Sequence, residues 1–171
     1  MNIRRIYQLR ILFILAVLTN ALFSAAQINS CLPYQDFKIV VLGSSTAAGA
    51  GVSHPDSAWV NRYRNHLHSI NPDNEVVNLA NGGYNTYRIM PTGFIPPPGR
   101  PAPDPNKNIT AAIAANPDAI IVNMPSNDVA MGFSEEEQLF NLDTIVHISN
   151  AANIPIWICT TQPRNFSSDS M

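Results

Sequence analysis

Three residues of the chain carry groups that could do chemistry together: the hydroxyl of Ser45, the backbone N–H of Gly83 and the carboxamide of Asn127. A serine hydroxyl is a nucleophile for acyl transfer once a base takes its proton. A backbone N–H that a ligand can approach closely, beside an asparagine amide, is the kind of donor set that holds the oxyanion of a tetrahedral intermediate. Each residue also has an ordinary structural reading. A serine after a strand commonly caps the next helix, a glycine commonly answers a need for positive φ, and Asn-Asp favours turns. On Ser45's own stretch the capping reading is the stronger one. Three such residues at successive strand ends are harder to assign to turns alone.

The strands are legible as apolar, β-branched runs. Phe37-Lys38-Ile39-Val40-Val41-Leu42-Gly43 breaks at Ser44-Ser45, Glu75 to Leu79 breaks at Asn81-Gly82-Gly83, and Asp118 to Met124 breaks at Pro125-Ser126-Asn127-Asp128. A fourth run, Ile154 to Thr160, passes into Thr161-Gln162-Pro163-Arg164-Asn165. Between them, Ser57 to Ile70 has helical spacing of Trp59, Val60, Tyr63, Leu67 and Ile70. Asn108 to Ala115 is a short alanine-rich helix. Ser134-Glu135-Glu136-Glu137 opens a helix to about Asn150 with a capping box, its apolar face read as Leu139, Leu142, Ile145 and Val146 with Ile148 or Ser149. Alternating strands and helices predict a doubly wound, flavodoxin-like α/β fold: a parallel sheet in a three-layer α/β/α stack. In such a sheet the carboxyl ends of the strands share one edge, where ligands bind. That edge is what can bring Ser45, Gly83 and Asn127 together.

Rival readings of the first loop fail on spacing. Gly43, Gly49 and Gly51 fit neither a Walker loop nor Gly-x-Gly-x-x-Gly, which weakens a flavodoxin-like phosphate-binding domain. An α/β-hydrolase elbow needs glycine where Ala47 stands. His54, His66 and His68 have no catalytic or ligand partner at a suitable spacing and read as exposed or half-exposed. No Cys/His metal spacing occurs, and no cofactor is expected. Prolines crowd residues 90–106, including Pro96-Pro97-Pro98, so this segment is a long surface loop. It is either a rim or a passive insertion, with Tyr84 and Tyr87 as candidate rim residues.

Ten basic and twelve acidic residues give a formal charge of −2, which argues against nucleic acid or an acidic membrane surface as partner. Arg4, Arg5 and Arg10 precede an apolar stretch from Ile11 to Phe23 and small residues at Ser24, Ala25 and Ala26. That is a signal-peptide layout over 1–26, with cleavage before Gln27, and the apolar run is short for a membrane span. Residues 27–36 read as a linker and 37–171 as one domain. The expected location is exported, periplasmic or secreted. Cys31 is a poor lipid-attachment match, so lipoprotein anchoring is the lesser alternative. Cys159, inside the fourth apolar run, reads as a buried free thiol.

The three strand ends resemble the sequence blocks of the SGNH/GDSL family of serine hydrolases. Ile39-Val40-Val41-Leu42-Gly43-Ser44-Ser45 resembles the first block, with Ser44 in place of its usual Asp. Val77-Asn78-Leu79-Ala80-Asn81-Gly82-Gly83 resembles the second. Met124-Pro125-Ser126-Asn127-Asp128 resembles the third, with Pro125 in place of glycine. The resemblance runs from about Phe37 to the C-terminus. It implies an exported serine esterase acting on a small-molecule ester (a lipid, an acetylated sugar or another), with Ser45 as nucleophile and Ser45, Gly83 and Asn127 as the oxyanion hole. The family's fourth block, Asp-x-x-His, has no counterpart in the sequence; Asp143 and His147 are one residue too far apart. The expectation is therefore a fragment of a longer hydrolase, lacking a last strand and helix and inactive or very weak by itself. The alternative is a ligand- or carbohydrate-binding module on the same scaffold.

Overall fold

A computed structural model describes residues 36–124 and 126–160. The expected signal peptide, the linker up to residue 35, Cys31, and the stretch from Thr161 onward lie outside the described residues. Strands β1 (Lys38–Gly43), β2 (Glu75–Asn78), β3 (Ala119–Asn123) and β4 (Ile156–Ile158) form one parallel sheet in the order β2-β1-β3-β4. The helices are α1 (Ser45–Ala48), α2 (Trp59–Ile70), α3 (Ile109–Ala114), α4 (Asn127–Ala130) and α5 (Glu135–Ala151), with 3-10 turns at Pro55–Ser57 and Thr86–Ile89.

The alternation along β1 builds two cores. Val40 and Leu42 point to one face and pack with Ile109 and Ala112 of α3, Ile145 of α5, and Ile120 and Val122 of β3. Ile39 and Val41 point to the other and pack with Val60 of α2, Val76, Ala119 and Ala47. Both faces of the sheet are covered, which is why its strands read as continuous apolar runs. Each fully buried aliphatic side chain of this kind contributes on the order of 1.5–3 kcal/mol.

The expected three-layer α/β fold is the one observed, with corrections at element ends. The helix read from Ser57 starts at Trp59, because Pro55–Ser57 forms a 3-10 turn first. The fourth strand keeps ladder geometry only at Ile156–Ile158, and Cys159 lies just past it, half-buried and free. On α5 the inward face is Asn141, Ile145 and Ser149, with Leu142 and Ile148 beside them; Leu139 is exposed, as is Phe140. Two polar residues on that face broke the apolar periodicity. The short helices α1 and α4 occupy what the sequence showed only as turns. Among the described residues no helix is long and apolar enough to cross a membrane.

Candidate active site

Ser45 is the first residue of α1, directly after the buried end of β1. The turn into α1 is tight. A Cβ on Gly43 would meet Ala47 Cβ at 2.6 Å, the Asn123 carbonyl oxygen at 3.1 Å and Ala80 Cβ at 3.3 Å. Only glycine lets β1, β3 and the second strand-end loop approach this closely. Ser44 holds the N-cap position but makes no capping hydrogen bond. Its backbone N–H donates to the Asn123 carbonyl at 3.3 Å, tying the loop to the end of β3. The half-buried Ser45 hydroxyl has no hydrogen-bond partner among the described residues.

Gly83 has φ of 78°, and a Cβ built there would meet nothing within 4 Å. The glycine is therefore required by its left-handed backbone, and the space beside it is open. Its N–H has no acceptor among the described residues.

Asn127 joins the strand ends. Its Nδ2 donates to Ser44 Oγ at 2.7 Å and to the Tyr84 carbonyl oxygen at 2.8 Å. One carboxamide thus connects the residue before Ser45 with the residue after Gly83. Two hydrogens meet two acceptors, so both donors of the amide are in use.

The neighbouring Asp128 completes the grip. It is buried, and its carboxylate accepts from the Thr86 N–H at 3.1 Å and from Thr86 Oγ1 at 2.5 Å. Asn141 Nδ2, on α5, donates to the same Thr86 hydroxyl at 2.8 Å. Burial pushes the Asp128 carboxyl up from its ordinary range, and the Thr86 hydrogen bonds oppose that shift. Consecutive residues of α4 therefore hold Tyr84 and Thr86, on either side of Asn85. The Asn-Asp pair was visible in the sequence, but Thr86 and Asn141 carried no local signal there, because their partners are 42 and 55 residues away.

The proline-rich segment forms one wall of a cleft that adjoins Gly83. A cleft of about 570 Å3 is lined by Gly83, Asn85, Arg88, Arg100, Met131 and Phe133, with Gly99 and Pro101 of the loop. Arg100 donates through Nε and Nη2 to the two carboxylate oxygens of Glu137 at 2.6 and 2.8 Å, and its guanidinium lies 4.2 Å from the centre of the Phe133 ring. Hydrogen bonding to Arg100 holds the Glu137 carboxyl down at about 2. Tyr84 and Tyr87, read from sequence as rim residues, are instead buried. The Tyr84 hydroxyl donates to Asp104 of the loop, and the Tyr87 hydroxyl to Glu137 of α5, the residue that Arg100 of the loop also grips. Burial, with the Asp104 hydrogen bond second, pushes Tyr84 up to about 12.

The four histidines take no part in this arrangement. His54, His66, His68 and His147 are all exposed, and none is hydrogen-bonded to Ser45. Asp143 and His147 lie 3.4 Å apart on the outer face of α5. No cluster of three or more potential metal ligands occurs among the described residues.

Comparisons with known proteins agree with the fold. In solved structures the fold matches the psychrotrophic esterase EstA from Pseudoalteromonas sp. (19% identity, 72% of this chain and 58% of that one, TM-score 0.52). It also matches AlinE4, an SGNH-hydrolase family esterase (20% identity, 75% and 62%, TM-score 0.56), and TesA (19% identity, 74% and 61%, TM-score 0.57). The chain spans 58–62% of the length of these three structures. A comparison with curated proteins found no match. The family model for the GDSL-like lipase/acylhydrolase family matches residues 41–170, from within β1 through all three strand-end blocks. The chain belongs to the GDSL-like lipase/acylhydrolase family.

Proposed function

We propose that the chain carries the nucleophile and the oxyanion hole of an exported serine ester hydrolase. The observation that carries this reading is the Asn127 amide, which joins the loop of Ser45 to the turn of Gly83. Ser45 Oγ attacks the ester carbonyl carbon, and the carbonyl oxygen takes the negative charge. The N–H groups of Ser45 and Gly83 and the Asn127 amide donate to it. As the first residue of α1, Ser45 has an N–H without an intrahelical acceptor. Asn127 must release one acceptor to do this. The Ser44 hydroxyl is the exchangeable one, since it can rotate while the Tyr84 carbonyl is fixed in the backbone. The ester C–O bond then breaks and the alcohol leaves with a proton. Water cleaves the acyl-serine in the second half. The serine proton needs a base, and the family resemblance assigns that role to an Asp-x-x-His pair.

A second reading, a non-catalytic ligand- or carbohydrate-binding module, is favoured by the Ser45 hydroxyl having no partner among the described residues while all four histidines are exposed. A single preparation separates the two. The gene is expressed with its whole coding sequence, and Ser45→Ala is compared with wild type on short-chain esters and for covalent capture of a phosphonate, since EstA was solved inhibited by monoethylphosphonate. The esterase reading expects hydrolysis to fall by about 1,000-fold or more and phosphonate capture to vanish. Undiminished hydrolysis in Ser45→Ala would overturn the nucleophile; no Ser45-dependent hydrolysis or capture in the wild type would favour the binding module. The exported form is expected to begin at Gln27 by mass spectrometry, and an intact Met1 would refute export.

A further inference from the structure

Two arginines line the cleft beside Gly83, and their forks are in opposite states. Arg100 presents its Nε–Nη2 edge to Glu137 and holds both carboxylate oxygens, at 2.6 and 2.8 Å. Its charge is matched, and Phe133 covers its face. Arg88 is half-buried and donates only through Nη1, to the Ala102 carbonyl oxygen at 3.0 Å. Its Nε–Nη2 edge has no acceptor, and no carboxylate lies within ion-pair distance of it among the described residues. Among the described residues, Asp104 acts on Arg88 by charge but not by a hydrogen bond: its Oδ2 accepts from the Tyr84 hydroxyl and its Oδ1 from the Asn106 N–H at 2.9 Å. Arg88 is also held in place, because its backbone carbonyl accepts from the Asp104 N–H at 3.0 Å and its own N–H donates to the Asn85 side chain.

From this we infer that the cleft takes an ester bearing a carboxylate, which the free Nε–Nη2 fork of Arg88 grips as Arg100 grips Glu137. A planar guanidinium fork matches a carboxylate bidentately, which an ammonium cannot do. The volume, about 570 Å3, suits a small molecule. Met131 and Phe133 supply an apolar wall for a short carbon chain between the ester and the acid. Placing the ester carbonyl at Gly83 rests on the proposed function; the anion site at Arg88 does not.

The test has a binding arm and a turnover arm, both on the full chain. In the binding arm Ser45→Ala is titrated with monoethyl succinate and with ethyl pentanoate, following the Gly83 and Asn85 amide resonances. Monoethyl succinate is expected to bind about 10- to 100-fold tighter than the neutral ester, and Arg88→Gln in the same background to remove that advantage. Arg88→Lys keeps the charge without the fork and is expected to recover only part of it. In the turnover arm, kcat/KM for the two esters should differ in the same sense in wild type and converge in Arg88→Gln. Equal binding of the two esters, or a preference that survives Arg88→Gln, overturns the inference. Ser45-dependent hydrolysis without preference for the acidic ester overturns it while leaving the esterase intact. Arg88-dependent binding with no hydrolysis supports the anion site and counts against the esterase.

Discussion

Strands β1 and β4 belong to one sheet, yet they are built to different tolerances. β1 lies between β2 and β3, bonded to both, and its residues from Ile39 to Gly43 are buried. β4 is three residues long, pairs with β3 alone among the described strands, and leaves Trp157 58% and Ile158 40% exposed. A strand bonded on both edges and packed on both faces fixes the position of whatever follows it. Ser44 and Ser45 follow β1, and Asn127 follows β3, the other interior strand. Two of the three candidate residues, Ser45 and Asn127, thus follow interior strands; Gly83 follows β2, which lies at the other edge, and none of the three follows β4.

Substitutions can break this comparison directly. Leu42→Ala, in the interior strand, should cost about 2–5 kcal/mol, read from urea unfolding midpoints, because the site around it is fully packed. A cost below about 1 kcal/mol would mean that β1 is no more constrained than β4. Asp128→Ala should cost about 1–3 kcal/mol, since it strips the buried Thr86 N–H and hydroxyl of their acceptor. Asp128→Asn, which keeps an acceptor oxygen, should cost less, and equal losses in the two variants would show that the carboxylate is not what holds Thr86. Trp157→Ser should move stability by no more than about 0.5 kcal/mol. A larger loss would place the edge strand on a par with the interior.

The parts that sequence made legible follow from local physics. Period-free apolar runs and the Ser134–Glu137 capping box are short-range signals, and they located the four strands and the longest helix. Ser45, Gly83 and Asn127 were legible because breaks after buried runs fall on one edge of a parallel sheet. The proline-rich segment showed its irregularity but not its role, because Arg100 meets its partner Glu137 37 residues further along the chain. Tyr84 and Tyr87 misled for a related reason. An aromatic after a turn is equally suited to a rim or an anchor, and only distant partners, Asp104 and Glu137, decide between them. Leu139 followed an apolar periodicity that the structure replaces with Asn141 and Ser149.

Glu137 ends up in two structures at once. Its carboxylate accepts from the Ser134 N–H at 2.8 Å, closing the first turn of α5, and from Arg100 of the loop. The residue that starts the helix is also the fastening of the cleft wall. A long proline-rich loop that were free in solution would lose much of its conformational entropy each time a substrate arrived. Here that ordering is completed during folding, as a by-product of starting α5. The cleft wall is thus fastened by folding itself, and a change that frays the first turn of α5 would loosen that wall without touching a residue that lines the cleft.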